Sequence, residues 1–322
     1  MSHRVAWLAS VVVVLWAIAA VPMPFVTWSP GEAVDLRGAV TVEGQGETLT
    51  GPLSLLTIRT KEAGLIDVVR AWLDGDRDLI DRDLAFGAGR DAEEYFAQEL
   101  QTFSTQLDVS AVAALRALGR DIGAAQQVVE ISPDTPADGV LEVGDVLRSV
   151  DDVGVESLTE LRTRLEQHEP GDVVTIALDR EGEPTEVRVT LAVLPTTETV
   201  GLGVRMRTLV DEIPIDVVAT ATLDRIGGPS AGLALALTIF DLLSPDDVVA
   251  ARRIAVTGTM DVDGNVGNIG GIRQKVIAAE DADAELLIVP VDQLEDARRQ
   301  ATSIEIVGVR TLAEALAALA SR

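Results

Sequence analysis

The sequence predicts an α+β protein of several domains, and three observations lead to this fold class. The chain has 322 residues, which is longer than one typical domain. Hydrophobic residues make up 47% and charged residues 24%, a composition that can build substantial cores. Short strand-like runs alternate with helix-like runs along most of the sequence, which is typical of mixed α/β architecture.

The composition excludes several kinds of site. There are 52 acidic and 26 basic side chains, so the net charge of −26 repels phosphate and we expect no nucleic-acid partner. The chain has no cysteine and two histidines, which argues against thiol nucleophiles, zinc sites and a Ser-His-Asp triad. We therefore expect no metal and no cofactor. Only Lys61 and Lys275 are lysines.

Residues 1–28 are predicted to form a transmembrane anchor. Val5–Val21 is apolar apart from Ser10, and with the residues that follow it is long enough to span ~30 Å of hydrocarbon. The alternative is a cleaved signal peptide, because Ala17-Ile-Ala19 is an A-x-A site. Both interpretations export the rest of the chain.

The flanking charges predict the orientation of the anchor. Arg4 precedes the apolar run and Glu32 follows it, so the positive-inside rule puts the N-terminus in the cytoplasm. Trp28 suits an interfacial position. We expect a single-pass protein of the cell membrane, with the lipid bilayer as a partner and most of the chain extracytoplasmic.

Residues 29–120 are predicted to form a mixed α/β region. Ala39–Val42 and Leu53–Arg59 have strand patterns, and Leu65–Leu73 and Ala92–Leu118 have helix patterns. The acidic run Asp74–Asp78 resembles the start of a calcium loop but lacks its later residues, so we interpret it as a solvated linker.

Residues 121–195 follow the order strand, turn, strand, helix and hairpin. Gln127–Ile131 is the first strand, Leu158–Gln167 the helix, and Val173–Leu191 a hairpin around Glu181-Gly182. With its segment SPDTPADGVLEVGDVLRSVDD, this stretch resembles a PDZ domain of the bacterial protease-associated type.

The PDZ resemblance implies a peptide-binding groove between the strand Gln127–Ile131 and the helix Leu158–Gln167. A peptide would add to the strand edge by β-augmentation, with Gly123, Val128 and Val129 as expected contacts. The loop Ile122–Ala125 departs from the usual Gly-Leu-Gly-Phe type, which leaves capture of a terminal carboxylate open. A packing module with an unused groove is the alternative.

Residues 196–322 alternate strands and helices. The predicted strands are Ile213–Thr222, Arg253–Met260, Leu286–Val291 and Ile304–Val309. The predicted helices are Ser230–Leu243, Ile272–Asp281, Gln293–Ala301 and Leu312–Leu319.

Two segments of this region carry candidate chemistry. In Gly227-Gly-Pro-Ser-Ala-Gly232, Ser230 lies at a helix start, where free N–H groups suit an oxyanion, although such a serine is often only an N-cap. Lys275 falls on an apolar helix face with Ile272 and Val276, which indicates a buried amine; a snorkelling lysine is the alternative. A buried amine can lose its proton and activate a serine.

Together these segments resemble the Ser-Lys proteolytic domain of Lon-type proteases. The matching pieces are GGPSAG, TGTMDVDGNVGNIGGIRQKVIAA and LLIVP. The resemblance implies that Ser230 is the nucleophile, Lys275 the general base and Thr257 a hydrogen-bond partner of the lysine. It implies backbone oxyanion donors around Ser230, supported by its neighbours Gly228, Pro229 and Ala231. Gly227 stands where the family has an acidic residue.

The order of anchor, α/β region, PDZ domain and proteolytic domain resembles the membrane-anchored, PDZ-containing Lon-like peptidases of bacteria. No phosphate-binding Gly-x-x-x-x-Gly-Lys-Ser/Thr motif is present. The resemblance implies an ATP-independent serine endopeptidase that acts on exported or misfolded proteins and assembles as a hexamer. The alternatives are a non-catalytic peptide-binding scaffold and a protein that processes only itself.

Overall fold

The computed structural model describes residues 22–43, 49–87, 89–120, 122–194, 199–210, 213–245, 247–250 and 252–321. The apolar segment of the predicted anchor, Val5–Val21, lies outside the described residues. No helix in the described ranges is long and apolar enough to cross a bilayer.

The described strands and helices follow one another along the chain in this order. The strands are β1 Pro22–Asp35, β2 Val40–Val42, β3 Leu53–Gly64, β4 Asp78–Asp81, β5 Ala124–Ile131, β6 Val146–Val150, β7 Val153–Gly154, β8 Val173–Arg180, β9 Glu183–Thr190, β10 Ala192–Val193, β11 Val200–Gly201, β12 Val204–Val210, β13 Val217–Ala219, β14 Ile254–Val256, β15 Thr259–Met260, β16 Val266–Gly267, β17 Leu286–Pro290 and β18 Glu305–Val309. The helices are α1 Leu65–Leu73, α2 Arg82–Phe86, α3 Ala92–Ala117, α4 Leu158–Leu165, α5 Gly232–Leu243, α6 Ile272–Asp281, α7 Leu294–Gln300 and α8 Leu312–Ala320. Short 3-10 turns cover Pro229–Ala231 and Val291–Gln293.

A six-stranded sheet joins the N-terminal and C-terminal parts of the described chain. Its strand order is β18-β17-β14-β3-β1-β4. Strand β3 pairs in parallel with β14, with Leu53 opposite Ile254. This differs from the predicted division, because the segments 29–120 and 196–322, expected as separate domains, share this sheet. We call this unit the catalytic body.

The catalytic body has three layers. Strand β17 is buried along its whole length, and successive side chains alternate between two cores. Leu286 and Ile288 face the core that contains α5, whereas Leu287 and Val289 face the core under α6. Burial on both faces explains why this strand is a continuous apolar run in the sequence.

The anchor prediction is corrected at its C-terminal end. Residues 22–28, which were assigned to the anchor, belong to β1, where Trp28 pairs with Thr60 of β3 and with Asp78 of β4. The side chain of Trp28 borders a cleft of the catalytic body, and its predicted interfacial position stays a prediction. The sequence gives no boundary between the predicted anchor and β1, because the first residues of the strand continue the preceding apolar run.

The PDZ portion forms a second sheet, of order β12-β5-β6-β8-β9, covered by α4. Its core includes Val128, Leu147 and Ile176 with Leu161 and Leu165 of α4. The predicted hairpin is confirmed as β8 and β9, paired from Val173 opposite Thr190 to Arg180 opposite Glu183.

The PDZ portion is inserted into the catalytic body. It begins after α3 and ends before β13, and Ala124 at its entry pairs with Val210 at its exit. Side-chain contacts, some of them through Arg116 of α3, join it to the turn after β15. The Thr159 hydroxyl of α4 donates to Asp261 at 2.7 Å, and Arg116 contacts both Glu156 and Asp263 at 2.5 and 3.0 Å.

Two local predictions differ from the structure. Ile213–Thr222 was expected to be mostly strand, but only Val217–Ala219 is, where it pairs with β2. The acidic run Asp74–Asp78 is not wholly a linker, because Asp78 begins β4 and accepts hydrogen bonds from Arg273 and Gln274 of α6.

Candidate active site

Ser230 lies in a tight turn that leads into the buried helix α5. Gly228 precedes it with a φ of 88°, in the left-handed region that favours glycine, and Pro229 opens the 3-10 turn. Helix α5 is buried from Gly232 to Ile239, so it fixes the turn against the core. The sequence therefore holds the serine on a rigid element at the wall of a cleft.

Lys275 reaches Ser230 from helix α6. Its side chain is 1% exposed, and its Nζ lies 2.7 Å from Ser230 Oγ. The helix begins after Gly271, whose φ of 67° turns the chain from β16 towards the core. The predicted pair is therefore brought together, and the snorkelling alternative for Lys275 is wrong.

Thr257 orders the hydrogen bonds of the pair. It follows β14, is fully buried, and its Oγ1 accepts a hydrogen bond from Lys275 Nζ at 3.0 Å. Its hydroxyl proton is donated to the carbonyl of Ser230 at 3.3 Å. A neutral lysine has one lone pair, so an N–H directed at Thr257 leaves that lone pair free to face the Ser230 hydroxyl.

Burial lowers the pKa of the Lys275 ammonium from 10.5 to about 7. The physical cause is the loss of hydration of the charged form. The two side chains that hydrogen-bond to the amine, Ser230 and Thr257, are neutral hydroxyls that do not hold the proton by charge. The arrangement can therefore supply a neutral amine, and with it a base, near neutral pH.

The serine and lysine open into a cleft of about 1240 Å³. Much of its wall comes from the N-terminal segment: Trp28 of β1, residues 55–60 of β3, and Tyr95, Phe96 and Glu99 of α3. Sequence reasoning missed all of these residues. They carry no motif, and only the shared sheet brings them beside the dyad.

Helix α3 also fixes the position of the nucleophile turn. The Gln106 amide donates to the carbonyl of Met260 at 2.9 Å, and the Ser110 hydroxyl donates to the carbonyl of Gly232 at 3.0 Å. Both side chains are buried, so these bonds are shielded from water. The N–H of Gly228 donates to the carbonyl of Glu99 at 2.9 Å and completes the contact between α3 and the turn.

The predicted peptide contacts of the PDZ portion are corrected by its sheet. Strand β5 lies between β12 and β6, so it has no free edge for an added strand. Val128 is buried in the core, and Val129 and Gly123 belong to the same covered strand and its approach. The free edge on this side of the sheet is β12.

The loop that precedes β12 has the sequence expected of a peptide-end loop. Gly201-Leu-Gly-Val204 leads into the strand, and Leu202 packs in the same core as Leu161 and Leu165 of α4. The peptide-end loop was expected at Ile122–Ala125, before the first strand of the domain, whereas the Gly-Leu-Gly sequence directly precedes its last strand, β12. This motif is a sequence signal that the prediction did not use.

In the described ranges, no group of three or more histidine and acidic side chains is placed to hold a metal ion. The site described above consists of hydroxyl, amine and backbone groups.

Comparison with known families matches two segments of the chain. Residues 206–319 match the model of the Lon protease (S16) C-terminal proteolytic domain, and residues 114–191 match the PDZ domain model. Lon protease 2 of Bacillus subtilis is 35% identical over 91 residues, which are 28% of this chain and 16% of that protein. The mitochondrial Lon protease homolog of Aspergillus fumigatus is 41% identical over 69 residues, or 21% and 6% of the two chains.

One of the similar solved structures is a PDZ domain. The PDZ domain of the SdrC-like protein from Listeria monocytogenes is 24% identical, covers 26% of this chain and 86% of that one, and has a TM-score of 0.24. The matched segments of the Lon proteases are a small fraction of their full length.

The buried Ser-Lys pair and the matched segment define the C-terminal part as a serine peptidase domain of the Lon type. Together, the matched PDZ segment and the matched proteolytic segment support a PDZ-containing Lon-like peptidase.

Proposed function

We propose that this protein is a membrane-attached serine endopeptidase that cleaves exported or misfolded proteins without ATP. The observation that carries the proposal is the 2.7 Å contact between Ser230 Oγ and a buried Lys275 amine. A scaffold with no catalytic role has no need of a lysine kept out of water next to a serine, since burial of that amine is costly.

The reaction follows from the hydrogen bonds of the site. Neutral Lys275 takes the hydroxyl proton as Ser230 Oγ bonds to the peptide carbonyl carbon. The C–N bond then breaks, and the leaving amine receives that proton from the Lys275 ammonium. Water attacks the acyl-enzyme with the same lysine as base, the ester C–O bond breaks, and Ser230 is reprotonated.

The developing oxyanion is stabilised by backbone N–H groups at the start of the helical segment. Gly228 does not supply one of them, because its N–H already donates to Glu99. We therefore assign the donors to the turn from Ser230 onward, including Ala231. A donor of this kind contributes about 3 kcal/mol to transition-state stabilisation.

The test compares wild-type full-length chain in detergent with three variants, on an unfolded protein and without nucleotide. We expect Ser230→Ala and Lys275→Met to reduce the cleavage rate by at least about a thousandfold. Lys61→Met is the matched control, because Lys61 is exposed and pairs with Asp67 on the surface. Cleavage that survives both active-site variants, or that requires ATP, contradicts the proposal.

The same experiment distinguishes general from self-directed proteolysis. Mass spectrometry of the products locates each cut in the added protein and in the enzyme itself. Cuts confined to the enzyme's own chain would favour the self-processing alternative. A folded wild type that cuts nothing would favour the scaffold.

We further propose that the PDZ domain binds an extended peptide along β12, beside α4. The support is the free edge of β12 and the Gly201-Leu-Gly-Val204 loop at its start. Titration of isotope-labelled full-length protein with a peptide ending in a free carboxylate should shift the amides of β12. Shifts confined to the other edge strand, β9, would contradict this placement.

Membrane attachment is supported by an exposed apolar face on α1. Ile66, Val69, Trp72 and Leu73 are 51%, 49%, 84% and 67% exposed. The helix starts after Gly64, which pairs with Pro22, so α1 begins beside the residue that follows the apolar run Val5–Val21 in the sequence. A tryptophan on an apolar helix face suits the headgroup region of a bilayer.

The membrane proposal is tested with full-length protein in liposomes. In a variant in which Trp7, Trp16 and Trp28 are replaced by phenylalanine, brominated lipid should quench the fluorescence of Trp72. Fluorescence that is unchanged by brominated lipid would contradict contact between α1 and the bilayer.

A further inference from the structure

A carboxylate without a partner lies on the cleft wall beside the nucleophile turn. Glu99 of α3 lines the same cleft as Ser230 and Lys275 and is half-buried. Within the described part of the chain, its carboxylate has no cation within 4.0 Å and accepts no hydrogen bond. A half-buried carboxylate left in this state is a strong acceptor for an incoming donor.

The two glycines before the nucleophile leave room for the Glu99 side chain against the turn. A Cβ added at Gly228 would lie 2.6 Å from Glu99 Oε2, and one added at Gly227 would lie 2.8 Å from Glu99 Cβ. The carboxylate therefore rests against the turn only two residues before Ser230. Glycine at both positions leaves the space that the glutamate occupies.

The surroundings of Glu99 suit the long side chain of a basic residue. Tyr95 and Phe96 line the cleft beside it, with ring centroids 5.5 Å apart. Such rings pack against an aliphatic stem and attract a cation to their faces. Burial raises the pKa of the Glu99 carboxyl, and a bound cation would offset this loss of hydration.

The other charged side chains on the cleft wall leave Glu99 available. Arg59 pairs with Glu32 at 2.9 Å, and Arg225 is exposed and makes no ion pair with Glu99. Lys275 hydrogen-bonds to Ser230 and Thr257 instead. The described cleft thus presents one uncompensated negative group, next to the reacting serine.

We propose that Glu99 forms a specificity subsite that binds an arginine or lysine side chain of the substrate near the scissile bond. This rests on the proposed endopeptidase function and names its substrate class. A guanidinium gains a charge-assisted hydrogen bond with the carboxylate, whereas a neutral residue leaves that carboxylate unpaired.

The test uses pairs of fluorogenic peptides that are identical except for arginine or citrulline at one position near the cut. Citrulline keeps the shape of arginine and removes its charge. For full-length wild type we expect kcat/KM to be about tenfold or more higher for arginine at one position. In Glu99→Gln this ratio should fall to about one, and in Glu99→Arg it should invert. Glu93→Gln, an exposed glutamate on the same helix, is the matched control and should keep the wild-type ratio.

The outcomes separate this subsite from the proteolytic function. Cleavage with equal kcat/KM for both peptides at every position overturns the subsite and leaves the endopeptidase intact. If the preference for arginine survives Glu99→Gln, another residue causes it, and the proposal is overturned as well. No cleavage of any peptide by folded wild type overturns the endopeptidase instead. A peptidyl phosphonate that labels Ser230 gives a second measurement, because its arginine form should label wild type faster than its citrulline form.

Discussion

Lys275 is the residue on which the chemistry of the site depends. Every basic side chain but two is arginine, and an arginine in this place would keep its charge at any working pH. In the structure, Lys275 is 1% exposed and its amine lies between two hydroxyls. Its proton can therefore leave near neutral pH.

The activity should rise with pH and level off above neutrality. Only neutral Lys275 can accept the Ser230 proton, and burial puts its pKa at about 7. A profile of kcat/KM from pH 5 to 9 should show one ascending limb with a midpoint near that value. A rate that stays constant from pH 5 to 9 would contradict Lys275 as the base.

Replacing Lys275 should stabilise the fold at neutral pH. The amine titrates near 10.5 when unfolded and near 7 when folded, so between these values the unfolded chain binds more protons. The free energy of unfolding of wild type therefore increases with pH across this window. At pH values below this window, burial of the charged amine lowers the free energy of unfolding by a constant amount of about 5 kcal/mol, taking 1.36 kcal/mol per pKa unit.

Thermal melting of Lys275→Met against wild type checks this linkage. The variant should melt several degrees higher at pH 6, and the difference should shrink as the pH approaches 10. Lys61→Met controls for the loss of a lysine elsewhere. A difference that is independent of pH would place the effect outside lysine titration.

The residues of the dyad could be predicted from sequence, but those of the cleft could not. Ser230, Thr257 and Lys275 stand in short motifs whose glycines and apolar spacing indicate their environment. Glu99 stands on an ordinary helix, and its neighbours Gly227 and Gly228 lie far along the chain. The acidic residue of the family is absent at Gly227, and α3 places the carboxylate of Glu99 next to this position. Only the tertiary packing brings the two positions together.

At the scale of elements, α3 is the support of the nucleophile turn. Gln106→Leu should lower the melting temperature, because the carbonyl of Met260 would lose a buried hydrogen bond, at a cost of about 1–3 kcal/mol. Peptidase activity should fall as well, since Met260 and the turn at Ser230 share the contact with α3. Gln98→Leu, on the half-buried part of the same helix, is the comparison, and an equal loss in both would contradict a specific role.

Element boundaries were predictable where local signals were strong. Leu65–Leu73 and Ile272–Asp281 are helices with the predicted bounds, and the hairpin around Glu181-Gly182 is confirmed. The pairing of β12 with β5 was not predictable, because it joins strands from opposite ends of the PDZ domain. A pattern of alternating residues indicates a strand but not its neighbour.

At the scale of the whole molecule, the PDZ domain is an insertion with adjacent ends. Ala124 and Val210 are paired, so a short Gly/Ser linker can replace the residues between them. We expect this deletion to preserve cleavage of short peptides and to reduce cleavage of substrates that depend on the β12 groove. Circular dichroism would check the fold, and a folded but inactive deletion would contradict an independent catalytic body.

The C-terminal segment that contains the proteolytic match should not fold alone. Residues 199–322 lack β3, which pairs with β14, and α3, which packs against α5. We expect this fragment to be insoluble or inactive, and co-expression with residues 22–120 to recover activity in part. A soluble, active fragment 199–322 would contradict a catalytic body built from both ends of the chain.

The parallel pairing of β3 with β14 also constrains when the enzyme comes into existence. Leu53 is made early in translation and its partner Ile254 late, so this contact has a very high sequence separation and forms slowly. The PDZ domain, whose contacts are comparatively local, can collapse while the ribosome is still at work. During most of its synthesis the nascent chain therefore carries a folded module but no assembled dyad. Its own topology delays proteolytic competence until nearly the whole polypeptide is available.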